Sequence, residues 1–109
     1  MLNDEMYKEL VSGLVSTLSG QLLRVVLYGS VARGTASSES DIDIALFLNQ
    51  RLSSKQQDQL SELIVDLDLK YDKVISVVDI DQETFQKWLN VMPFYQNVNN
   101  EGIELWTAA

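Results

Sequence analysis

Tyr28-Gly29-Ser30-Val31-Ala32-Arg33-Gly34-Thr35-Ala36-Ser37-Ser38-Glu39-Ser40-Asp41-Ile42-Asp43-Ile44-Ala45-Leu46-Phe47 is the stretch on which the fold turns. Leu22 to Leu27, just before it, is apolar apart from Arg24, and a second apolar run follows Asp41. The pattern predicts a strand over 21–28 that closes at Gly29-Ser30, and a second over 41–48 that opens on Asp41-Ile42-Asp43. Side chains alternate faces along a strand, so residues two apart point the same way. Asp41 and Asp43 are therefore expected side by side on one face, with Ile42, Ile44, Leu46 and Leu48 on the other.

Two carboxylates held close together repel each other, and Asp is depleted in strands, so the pair has no evident structural purpose. A hard divalent cation resolves the repulsion: Mg2+ takes oxygen ligands, typically one or two carboxylates with phosphate oxygens and water. Gly29 lets the backbone approach a ligand closely. A short helix starting at Ser30 would offer free amides and its positive end to a phosphate. Arg33 would add a charge-assisted contact. The plainer reading is a turn at Gly29-Ser30 followed by an exposed strand edge. The spaced combination between two apolar runs favours a phosphate cradle and a metal site over that reading.

Gly29-Ser30, ten residues, then Asp41-Ile42-Asp43 resembles the signature of the DNA polymerase beta-like nucleotidyltransferase superfamily. More narrowly, Gly29-Ser30-Val31-Ala32-Arg33-Gly34 and Ser40-Asp41-Ile42-Asp43-Ile44 look like the minimal nucleotidyltransferases (MNT proteins). These are small prokaryotic proteins often paired with a HEPN-domain protein as antitoxin and toxin. The resemblance implies an α/β (α+β) fold, with a small mixed sheet and helices mainly on one face. It implies transfer of a nucleoside monophosphate, AMP from ATP by preference, to a hydroxyl with Mg2+ as cofactor. The implied acceptor is a tyrosine of a HEPN-domain partner. The residues carried over are Gly29, Ser30, Arg33 and Ser40 for the nucleotide, with Asp41 and Asp43 as catalytic metal ligands. A third acidic residue usually stands on a neighbouring strand, and Asp79 is the candidate here. If the third acid belongs at the strand end, Asp79 fills it; if at the strand middle, Ser76 stands there and the triad is incomplete.

The remaining composition bounds the function. The 109 residues suffice for one domain and one core, read as a single unit over 1–109. No stretch nears the roughly 20 apolar residues that span a bilayer, and Met1-Leu2-Asn3-Asp4-Glu5 has no basic start like that of a secretory signal. A cytoplasmic location fits. Without cysteine or histidine, disulfides, imidazole catalysis and zinc sites of the usual kind are excluded, and oxygen-ligand metals remain. The net charge of −8 repels polyanions and weighs against direct nucleic-acid binding.

Along the chain, 3–18 reads as an amphipathic helix with Met6, Leu10, Leu14 and Leu18 recurring, a start capped by Asn3 or Asp4, and Gly13 as a weak point. A second helix runs to about Lys70 behind a capping box of Ser53 with Gln56, or Ser54 with Gln57. Asp66 and Asp68 repeat the D-x-D letters, but residues two apart on a helix diverge by about 200°, so they read as solvated charges. Lys73 to Ile80 is a third strand, Asp81 a helix cap, and Gln82 to Asn90 a helix. Pro93 opens a further helix, and Ile103 to Trp106 adds a short strand. Phe94, Tyr95, Leu105 and Trp106 read as core, with interface anchors as the alternative. Two other functions stay open. One is a module that neutralises a HEPN partner by binding alone; the other is a small-molecule nucleotidyltransferase whose pocket needs a second chain, as in a homodimer.

Overall fold

A computed structural model describes residues 4–37 and 40–108. The Asn3 cap and the Ser38-Glu39 part of the loop lie outside the described residues. The elements are α1 (Asp4–Thr17), β1 (Leu22–Tyr28), α2 (Gly29–Arg33), β2 (Ile42–Leu48), α3 (Ser54–Tyr71), β3 (Ile75–Asp81), α4 (Gln82–Trp88), α5 (Pro93–Glu101) and β4 (Ile103–Thr107). The strands form one sheet in the order β3-β2-β1-β4. β1 runs antiparallel to both β2 and β4, and β2 runs parallel to β3 through the α3 crossover. A parallel pair requires such a crossover, whereas the link between β1 and β2 needs only α2 and a loop.

The alternation in β2 sorts the core into two layers. Ile42, Ile44, Leu46 and Leu48 face the two long helices, where Met6, Leu10 and Leu14 of α1 and Leu67 of α3 are buried with them. Fully burying such a side chain contributes roughly 1.5–3 kcal/mol. Ala45 and Phe47 face the other way, onto Val26, Ile80, Phe85 of α4 and Val98 of α5. Phe47 is fully buried, with the Phe85 ring edge-on at 4.8 Å and the Arg24 guanidinium 4.6 Å from its centroid. The mixed sheet with its two long helices on one face is the expected architecture; the two short C-terminal helices cover the second face.

Local signals explain where the elements stop and join. Ser53 caps α3 through the full reciprocal box with Gln56. Asp81 caps α4 by accepting from the Thr84 amide at 3.0 Å and its hydroxyl at 2.7 Å, which holds its carboxyl below the usual range. Asp68 is more than a solvated charge: its carboxylate accepts the Ile75 amide at 3.0 Å and ties the end of α3 to the start of β3. Gly13 is no mere weak point either. A Cβ there would meet Leu63 Cδ1 at 2.6 Å, so the end of the Leu63 side chain of α3 occupies the space that the glycine leaves on α1. Leu105 and Trp106 pack on the first core layer and Tyr95 on the second, while Phe94 stays partly exposed with its ring against Tyr28.

Candidate active site

The β1–β2 register pairs Tyr28 with Asp43, so the residue that ends β1 lies across from the second aspartate. The chain then turns at once into α2. Gly29 makes that turn with φ of 77°, a left-handed conformation that costs glycine nothing. It is also bare for a second reason: a Cβ at Gly29 would collide with the Asp43 carboxylate. The glycine of the signature thus stands against the aspartate of the signature. Ser30 follows in the first turn of α2, whose amides have no side-chain cap. The helix closes on Gly34, and the Thr35 amide bonds back to the Ser30 carbonyl at 3.0 Å.

Asp41 lies one residue before β2, exposed, and Asp43 within it, half-buried. The β2–β3 register sets Ser76 beside Asp43, and the Ser76 hydroxyl donates to Asp41 Oδ2 at 3.2 Å. Burial first, and then the Asp41 charge, pushes the Asp43 carboxyl above its ordinary range, with Arg33 pulling the other way. Tyr28 is raised as well, by burial and by the Asp43 charge. A crowded carboxylate of this kind, set against Gly29 and beside the exposed Asp41, suits an oxygen-preferring cation.

The other expected residues are placed differently. Arg33 lies close enough to act on Asp43, but its guanidinium is engaged with Glu101 of α5 at 3.0 Å. No sequence signal marked Glu101, because only the fold brings it 68 residues back to Arg33. Ser40 closes the loop: its hydroxyl accepts the Ser37 amide at 3.0 Å, and its own amide donates to the Ser37 carbonyl at 3.2 Å. Asp79 does not join the pair. It is in register with Leu46, three positions beyond Asp43, and odd spacing puts it on the opposite face. There, though exposed, it lines a groove with Leu60 and Ile64 of α3 and Val77, and partial desolvation beside these apolar side chains pushes its carboxyl up. Among the described residues, no group of three acidic, histidine or cysteine side chains is arranged to hold a metal.

Residues 14–106 match the family model described as polymerase beta, nucleotidyltransferase. The chain belongs to this nucleotidyltransferase family. Two curated relatives come from Methanocaldococcus jannaschii, and both are named as candidate protein adenylyltransferases. MJ0604 is 35% identical over 97% of this chain and 100% of its own. MJ0141 is 30% identical over 93% of this chain and 96% of its own. Among solved structures, this nucleotidyltransferase superposes on a toxin–antitoxin protein with AMP-PNP at a TM-score of 0.64, with 25% identity over 94% of this chain and 73% of that one. A tri-AMPylated Shewanella oneidensis HEPN toxin in complex with its MNT antitoxin gives a TM-score of 0.62 with 20% identity, over 98% and 74% of the two chains. That second likeness speaks to the fold. Among the described residues of this nucleotidyltransferase, no helix is long and apolar enough to cross a membrane.

Proposed function

We propose that this nucleotidyltransferase moves AMP from ATP to a side-chain hydroxyl of a protein, a tyrosine of a HEPN-domain partner, and thereby acts as an antitoxin. The observation that carries the reading is the Tyr28–Asp43 register, which sets the bare Gly29 and the first turn of α2 against the acidic pair. The relatives named as protein adenylyltransferases and the toxin–antitoxin neighbour with AMP-PNP support it.

In this reading the Gly29 and Ser30 amides receive the triphosphate at the open end of α2. Asp41 and Asp43 would hold Mg2+, which when bound neutralises charge on the phosphates as it builds. The acceptor oxygen forms a bond to the α-phosphorus as the bond to the bridging oxygen of pyrophosphate breaks, and the hydroxyl proton is released. Asp43 fixes the line of that displacement, since its carboxylate abuts the turn that carries the phosphates. Arg33 adds positive charge to the same place once it exchanges Glu101 for phosphate. AMP on a tyrosine adds bulk and negative charge at the partner's surface.

A second reading has its own observation: Ser76, not an acid, stands opposite Asp43. In it the protein neutralises its partner by covering it, and the pair is a remnant. Co-expression of the HEPN-type neighbour with wild type and with Asp43→Asn, followed by intact mass, separates the two. AMP units gained only with the wild type support transfer. An unmodified partner that still co-purifies and is still neutralised overturns it in favour of binding alone.

A further inference from the structure

Ser76 is tied to both halves of the acidic pair. It is the β3 residue in register with Asp43, and its hydroxyl is the donor to Asp41 Oδ2. Asp41 precedes the strand and is exposed, so nothing in the ladder holds its carboxylate in one rotamer. Ser76 is half-buried on the edge strand β3, and the pairing with β2 holds its backbone beside Asp43. Asp79, the acid on the same strand, is turned to the other face.

We propose that Ser76 is a positioning residue that holds the Asp41 carboxylate, so that the site is a two-carboxylate centre completed by a hydroxyl. The inference rests on the reading of Asp41 and Asp43 as cation ligands. An ionised carboxylate has about four lone-pair sites, and one hydrogen bond from Ser76 leaves the other oxygen free for a cation. A hydrogen bond to a charged acceptor is stronger than a neutral one and fixes direction as well as distance. Groups that orient a metal ligand from behind typically contribute about 10–100-fold in metal affinity. A hydroxyl brings no charge, however, and cation affinity follows the charge of the ligand set. The centre therefore binds a cation weakly alone and tightly once a triphosphate adds its own oxygens.

The test is Mn2+ binding, read by electron paramagnetic resonance, with and without a non-hydrolysable ATP analogue. Ser76→Ala should weaken binding about tenfold, and Ser76→Thr, which keeps the hydroxyl, should restore it. Ser76→Asp should tighten Mn2+ binding in the absence of nucleotide, by adding the missing charge. Wild-type affinity in Ser76→Ala, or equal loss in Ser76→Ala and Ser76→Thr, overturns the positioning role. Wild-type affinity in Asp43→Asn overturns the cation reading itself, and the proposal with it. These readouts need no acceptor, so they separate from a failure to find AMP on a partner.

Discussion

Replacing Gly29 by alanine separates two costs that meet at one atom. The first is backbone strain. Gly29 has φ of 77°, and a left-handed conformation costs an L-residue about 1–2 kcal/mol. Alanine recovers about 0.4–1 kcal/mol by narrowing the unfolded ensemble, which leaves a loss of about 1 kcal/mol. In a domain of this size that lowers Tm by about 4–8 °C. Gly20 supplies the control, with φ of 84° and nothing within 4 Å of an added Cβ. Gly20→Ala should lose the same stability. The second cost belongs to Gly29 alone: the new methyl meets the Asp43 carboxylate, which must swing away. Misplacing a reacting group by about 1 Å costs about 10²-fold in rate. Thermal unfolding and AMP-transfer rates on both variants give the comparison. Similar Tm losses with transfer lost only in Gly29→Ala are expected. Equal transfer rates in the two variants would refute the argument that Gly29 is bare for the sake of Asp43.

Three further outcomes follow from the same geometry. Because the folded state raises the Asp43 pKa, it holds this proton to higher pH than the unfolded chain does; the group favours folding while protonated, and that advantage is lost as pH rises through the ordinary aspartate range to the raised folded value. Asp43→Asn should therefore raise Tm at neutral pH, with the gain vanishing in acid, as a pH series of melts would record. Glu101→Gln removes a partly exposed ion pair of a kind worth about 0.2–1 kcal/mol, so Tm should fall by no more than about 4–8 °C, while nucleotide affinity by calorimetry should rise as Arg33 is released. Phe47→Ala empties the centre of the second core layer and should cost about 3–5 kcal/mol in urea unfolding.

The sequence carried the fold unusually far because its periods are clean. The 3.6-residue stripe of α1, the reciprocal Ser53–Gln56 cap and the alternation through Ile42 to Leu48 each act over a few neighbouring residues, where pattern and structure coincide. The close of one strand at Gly29-Ser30 and the start of the next at Asp41-Ile42-Asp43 were legible for the same reason. Asp79 was the misleading residue. Alternation gave its face relative to its strand neighbours, but not which residue of β2 it would lie beside. That depends on the parallel register, which hydrogen bonds set between segments far apart in the chain. Arg33 and Glu101 show the same barrier, since their pairing needs α5 packed back on α2. Gly13 shows a third kind: a residue poor for a helix in isolation is right where a second helix presses on it.

The Tyr28–Asp43 pairing also bears on how such a chain can change over generations. The ten residues between Ser30 and Asp41 look like a measured distance, yet the ladder, not the loop, brings glycine and aspartate together. Lengthening a loop adds closure entropy only logarithmically, so a few extra residues between Gly34 and Ser37 would cost well under about 1 kcal/mol. One residue inserted between Ile44 and Leu46 would instead carry Asp43 to the far side of the sheet relative to its neighbours or break the ladder. Added length in the loop is thermodynamically cheap, and added length in the strand pair is not.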